Sequence, residues 1–131
     1  MKIIIRSFWP AIACLIVSSI LFFLPGSALP ESDWFGKIEL DKIVHVVLFA
    51  ILVVLWCIPF FYKPSRSIPL PKLLVLIPFV FFGYSIVVEF VQLFFIPGRS
   101  FDLMDIVADA LGCLVGFLFV KQYQRFLTDV K

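Results

Sequence analysis

Charge is scarce in this chain. Of 131 residues, 15% are charged and 63% apolar, at a mean hydropathy of +1.12. That excludes a soluble domain of ordinary make-up, which cannot hide so much oil. Histidine occurs once, as His45, which excludes a multi-histidine metal centre, and no metal-ligand set is assigned. Cys14, Cys57 and Cys113 lie inside apolar runs without a C-x-x-C pair. A disulfide or zinc framework is thereby excluded, and apolar packing is their expected role. Alternating segments of about ten residues are missing too, which excludes an outer-membrane barrel. No Ser or Cys sits in a nucleophile motif such as G-x-S-x-G, and the basic residues are too scattered for a nucleic-acid surface. With neither an internal repeat nor a low-complexity tract, residues 1–131 read as a single transmembrane domain.

Long apolar runs are what the chain does have. Four of them, at about 8–24, 43–61, 73–96 and 103–120, approach the roughly 20 residues that an α-helix needs to cross about 30 Å of hydrocarbon. The expected fold is all-α, a polytopic four-helix membrane bundle. Lys2 and Arg6 ahead of the first run, with Gly26-Ser27-Ala28 after it, also suit a signal peptide. The run exceeds the usual apolar core of about 7 to 15 residues, so a retained helix is expected. Pro25, Gly26 and Pro30 close the first run, Pro64, Pro69 and Pro71 fill the 62–72 loop, and Pro97-Gly98 ends the third helix. Trp9, Trp34 and Trp56 near the expected interfaces suit an aromatic belt.

Basic residues set the orientation. With both termini and the 62–72 loop in the cytoplasm, Lys2, Arg6, Lys63, Arg66, Lys72, Lys121, Arg125 and Lys131 lie inside, eight of the eleven, leaving Lys37, Lys42 and Arg99 outside. Eight of the nine carboxylates (Glu31, Asp33, Glu39, Asp41, Glu89, Asp102, Asp105 and Asp109) then fall on the outer side.

Polar residues inside apolar runs are costly, which makes them functional candidates. Asp41, Lys42 and His45 are spaced to meet on one face of the second helix. Glu89 and Gln92 form a similar i, i+3 pair in the third helix, with Ser85 one turn deeper. Asp102, Asp105, Asp109, Gly112 and Gly116 fall within a stripe about 80° wide when each residue advances about 100°. Gly112 and Gly116 suit close helix packing, as small-x-x-x-small faces do in membranes. Counting from the helix ends at about 1.5 Å per residue puts Glu89 and Asp109 at matched depths of roughly 10 to 12 Å. His45, Glu89, Gln92, Arg99, Asp102, Asp105 and Asp109 are therefore expected to converge on one outer-half pocket.

The ordered set Asp41-Lys42-x-x-His45-x-x-x-Phe49, Glu89-x-x-Gln92 and Pro97-x-Arg99-x-x-Asp102-x-x-Asp105-x-x-x-Asp109-x-x-Gly112 closely resembles the VanZ-like family of small bacterial membrane proteins, over about residues 35 to 120. That family is named after an accessory protein of glycopeptide resistance that raises tolerance to teicoplanin. The resemblance implies a multi-pass protein of the bacterial inner membrane and cell envelope with a role in antibiotic resistance. It brings no reaction and no cofactor with it. Where the family usually carries Asn, this chain has Asp109, which adds a negative charge.

Five carboxylates (Asp41, Glu89, Asp102, Asp105 and Asp109) against Lys42 and Arg99 cannot all stay ionised in a low dielectric. They must share protons or hold a cation among them. Interhelical hydrogen bonding, worth about 0.6 to 2 kcal/mol per pair, is the plain structural account, with Arg99 and Asp102 ordering the outer turn. Three functional classes stand beside it. In the first, Lys42 and Arg99 hold the phosphate or carboxylate of a membrane lipid, a lipid-linked envelope intermediate or a glycopeptide, in a ligand set of Asp41, Lys42, His45, Glu89, Gln92, Arg99, Asp102, Asp105 and Asp109. In the second, an enzyme acts on an outer-leaflet lipid with His45 or Glu89 as general acid or base, and the carboxylates ligate a divalent metal or tune its acidity. The third is a proton- or ion-coupled transporter using Glu89 and Asp109, which with four helices needs a homo-oligomer to build a path. Binding ranks first, enzyme second and transporter third. The orientation is tested by reporter fusions at Lys2, in the 62–72 loop and at Lys131, all of which should read cytoplasmic; a periplasmic signal from the loop overturns it.

Overall fold

The computed structural model of the chain describes residues 7–25, 27 and 40–129. Lys2, Arg6, Lys37 and Lys131, the segment after Ser27 with Pro30, Glu31, Asp33, Trp34 and Glu39, and the Gly26 and Ala28 of the possible cleavage site lie outside the described residues. Four helices make up the described chain, with no strand among the described residues: α1 Trp9–Phe22, α2 Leu40–Tyr62, α3 Leu70–Phe95 and α4 Leu103–Asp129.

Proline sets the limits of α1. Pro10 stands in its first turn, where a missing N–H is harmless, and the carbonyl of Phe8 accepts from Ile12 N–H at 2.9 Å. At the other end the bonds tighten, with Leu24 N–H reaching Leu21 O at 3.4 Å, and Pro25 has no donor with which to continue. The resulting 14 residues rise about 21 Å, short of the near-20-residue span expected from the apolar run. α2, α3 and α4 are long and apolar enough to cross a membrane. α4 outruns its apolar segment, continuing through Lys121, Gln122, Gln124 and Arg125 to Asp129. Hydropathy marked where the oil ends, but these residues remain good helix formers in water. Tyr123 on this extension bonds Tyr62 at 2.9 Å between hydroxyls, tying it to the end of α2.

Between α3 and α4 the chain reverses in one turn. Arg99 N–H bonds Ile96 O at 3.3 Å, with Pro97 and Gly98 at the corner and Gly98 at φ 74°. A β-turn with proline second and a positive φ third calls for glycine there.

The bundle is apolar outside and polar inside. Ile16, Ile20, Val47, Phe79, Val80, Phe94, Leu118 and Phe119 are exposed, whereas Ser18, His45, Ser85, Glu89, Gln92, Asp105 and Asp109 are buried. Water penalises that arrangement and hydrocarbon favours it, so the described helices form a multi-pass membrane bundle. Phe49, Leu52, Val53, Leu74, Phe81 and Val88 build the apolar part of the interior, joined by Cys57 and Cys113. Trp56 lies against Phe8 and Phe81 at ring distances of 5.8 and 5.9 Å, packing between helices rather than standing out in an interfacial belt. Trp9, in contrast, is exposed.

α4 packs most extensively on α2. Gly112 and Gly116 make this contact: a Cβ on Gly112 would lie 2.5 Å from Val46 O, and one on Gly116 would lie 2.8 Å from Ala50 O. Lipid supplies little drive to bring helices together, so their attraction depends on such close van der Waals approach. Gly112→Ala and Gly116→Ala should each destabilise the bundle by about 1–3 kcal/mol through overpacking. Gly83, whose Cβ position has nothing within 4 Å, should tolerate alanine or gain up to about 1 kcal/mol. Unfolding in mixed micelles of rising SDS content measures all three, and equal loss at Gly83 and Gly112 would contradict the close-contact account.

Candidate functional site

The α2–α4 contact carries polar groups just above its glycines. Asp41, Lys42 and His45 occupy the first turns of α2, and Asp105 and Asp109 the first two turns of α4, with Asp102 immediately ahead of it. His45 Nδ1 lies 2.8 Å from Asp109 Oδ1, and both residues are buried. With Asp109 ionised and the imidazole neutral, Asp109 accepts from Nδ1–H and the Nε2 lone pair is left toward Asp105. Nε2 stands 4.0 Å from Asp105 Oδ2, beyond hydrogen-bond length. Lys42 Nζ lies 3.1 Å from Asp102 Oδ2 and 3.6 Å from Asp105 Oδ1, so its charge is spread over two carboxylates.

α3 adds Glu89 and Gln92. Glu89 Oε2 accepts from the backbone N–H of Asp102 at 3.0 Å, while Asp102 Oδ1 accepts from Met104 N–H at 2.8 Å. Together they satisfy donors at the start of α4, much as a capping box does, except that the glutamate comes from a neighbouring helix. The positive end of the helix dipole favours these carboxylates as well. Glu89 and Asp109 are both fully buried, so neither points to lipid. Gln92 Nε2 donates to Phe22 O at 2.8 Å, which satisfies a carbonyl at the end of α1. Its amide therefore serves helix pairing beside the cluster.

Arg99 differs from expectation. The sequence pairs it with Asp102, yet Asp102 is taken by Lys42, and the acid beside Arg99 is the exposed Asp41, with Nη1 to Oδ2 at 3.9 Å. The reason is the tight Ile96–Arg99 turn, which sets Arg99 ahead of α4 and toward the start of α2. Among the described residues its Nε has no hydrogen-bond partner although it is buried, and the side chain is only 13% exposed.

The structure also adds groups that the spacing rules passed over. The Phe22 ring centroid lies 4.8 Å from that of His45, closing the imidazole from the α1 side. Tyr84 OH meets Ser19 Oγ at 2.8 Å and its ring lies against Phe49 and Phe81. Aromatic residues inside apolar runs look like core, and only interhelical neighbours distinguish these. Ser85 bonds within its own helix, to Phe82 O at 2.8 Å.

Asp102 lies outside the membrane-spanning helices. The Met104 N–H bond and then Lys42 hold its carboxyl below the usual carboxylate range. A group with a lowered folded-state pKa contributes stability above its unfolded pKa and loses it as pH falls through the folded value. Wild-type stability should therefore decline as pH falls below about 4, the ordinary aspartate value, and Asp102→Asn should flatten that decline while lowering stability near neutrality. Denaturation followed by circular dichroism at several pH values checks this; parallel curves for the two proteins would remove Asp102 from the account.

An uncharacterised protein of Schizosaccharomyces pombe is 33% identical over 114 residues, which cover 87% of this chain and 62% of the yeast protein. The chain thus spans 62% of the length of that curated relative. No solved structure matches it. The ordered motif, the helical bundle and a match to the family described as VanZ/LLP1 over residues 5–126 agree: the chain belongs to the VanZ/LLP1 family.

Proposed function

We propose that this membrane protein binds the anionic head group of a membrane amphiphile, a phosphate or carboxylate, at Arg99. The observation that carries this reading is a mostly buried guanidinium that, among the described residues, has an unpartnered Nε and no acid nearer than 3.9 Å, too far for a hydrogen bond. A buried donor left unmade costs about 1–3 kcal/mol, and a planar fork recovers that cost best on a phosphate or carboxylate. An apolar groove of about 370 Å³ along α3 and α4, lined by Val75, Pro78, Phe79, Phe82, Cys113 and Phe117, would suit an acyl or isoprenoid tail.

In the proposed setting both termini face the cytoplasm, and the polar cluster lies in the outer half of a bacterial inner membrane. There the protein would modulate tolerance to teicoplanin-type glycopeptides by engaging a lipid or lipid-linked envelope intermediate.

The His45–Asp109 bond of 2.8 Å supports a second reading. A buried imidazole oriented by a carboxylate suits a general base: Nε2 would take a proton from a water whose oxygen attacks the head-group linkage, and the imidazolium would return that proton to the oxygen that departs as the linkage breaks.

Native mass spectrometry of protein purified in mild detergent, combined with glycopeptide tolerance of the expressing strain, tests the binding reading. Arg99→Ala should retain folded protein and weaken anionic-lipid binding by about 10- to 100-fold, the equivalent of charge-assisted bonds of ~1.5–3 kcal/mol, and Arg99→Lys should recover only part. If Arg99 merely balances Asp41, single mutants should lose folded protein and the Arg99→Ala, Asp41→Ala double mutant should regain both folding and tolerance, which would sink the reading. Head-group release in nanodiscs that His45→Gln abolishes would establish the enzyme instead.

A further inference from the structure

We propose that Asp41, His45 and Asp105 bind a divalent cation of the Mn²⁺ or Zn²⁺ class. One ligand atom from each of the three lies within 4.8 Å of the others. A carboxylate cluster alone would not establish a site; the state of its buried members points to a ligand. Asp105 has a side chain only 7% exposed, and Lys42 stands 3.6 Å from its Oδ1, so the atoms turned into the cluster are its Oδ2 and the Nε2 of His45, and no hydrogen bond joins the two. His45 is 2% exposed, and its Nδ1 is occupied by Asp109. Its Nε2 faces Asp105 Oδ2 at 4.0 Å. That separation is too long for a hydrogen bond but suits a shared ion: two donors each about 2.0–2.2 Å from one metal stand roughly 3 to 4.3 Å apart.

The chemistry of the donors narrows the ion. One imidazole and two carboxylates mix borderline and hard ligands, which favours Mn²⁺, Fe²⁺ or Zn²⁺ over Mg²⁺ or Ca²⁺ and leaves coordination positions open. Asp109 then takes the part of the carboxylate that orients a metal-bound histidine through its other nitrogen. Lys42 lies toward Oδ1 of Asp105, so Oδ2 is turned to the ion. A divalent charge also offsets the excess of the five clustered carboxylates over Lys42 and Arg99. The half-exposed Asp41 at the start of α2 provides the way in.

The inference needs neither Arg99 nor a lipid, so it stands or falls apart from the head-group reading. Full-length protein in detergent, stripped with EDTA, is titrated with Mn²⁺ while the aqua-ion signal is followed by electron paramagnetic resonance. Wild type should take up one Mn²⁺ per chain, displaceable by Zn²⁺. Asp109→Asn should weaken uptake by about 10- to 100-fold, and His45→Gln and Asp105→Asn should abolish it. Should those buried variants misfold, Asp41→Ala decides, because Asp41 is exposed and the variant should keep wild-type helicity while losing at least tenfold in affinity. Lack of saturable uptake of both metals by wild type, or undiminished uptake by well-folded Asp41→Ala, overturns the site.

Discussion

Because Gly112 and Gly116 have no Cβ, α4 rests directly on the backbone of α2, and the polar cluster depends on that approach. Val46, whose carbonyl would collide with a Cβ on Gly112, is the residue after His45, while Gly112 lies one turn from Asp109. The 2.8 Å bond between His45 and Asp109 is thus made within a turn of the close approach at Gly112. Larger side chains there would part the helices and lengthen that bond. In a membrane, where oil-to-oil contact gives no hydrophobic gain, close backbone approach and the polar bond it permits hold the pair together.

The same geometry decides how charge is distributed. α4 begins at the cluster, so its unpaired N–H groups and the positive end of its dipole meet Asp102 and Glu89. Lys42 divides its charge between Asp102 and Asp105. Those acids have partners that any stable bundle would need. Asp109 Oδ2, Glu89 Oε1 and Arg99 Nε do not, and Asp105 Oδ1 has only its 3.6 Å charge contact with Lys42: each is buried without a hydrogen bond among the described residues. Native proteins rarely leave such groups unpaired. Of the five such atoms among the described residues, all but Trp56 Nε1 group around His45 and the α3–α4 turn, and the proposed readings rest on those four.

The fold was legible in the sequence, and so was the helix face that each polar residue of the candidate site occupies. Runs of apolar residues announced the helices of a membrane bundle, and the 3.6-residue period placed Asp41, Lys42 and His45, and likewise Asp102, Asp105 and Asp109, each on one face. Element limits were less legible. α1 stops at Phe22 because Pro25 cannot donate, and α4 runs past its oil to Asp129 because polar residues also form helix. Partner choice was the least legible, as the exchange of Asp102 for Asp41 beside Arg99 shows.

By itself the sequence determined the solvent, since hydropathy is a property of composition, and it determined which polar residues share a helix face, since periodicity is local. Only the tertiary structure decided which faces meet and which atoms pair. Those choices depend on the approach distance at Gly112, the one-turn reversal at Pro97-Gly98 and the rotation of α3 that brings Glu89 to the start of α4. Each is a relation between segments distant in the chain, and spacing along one helix carries no information about the rotation or depth of another.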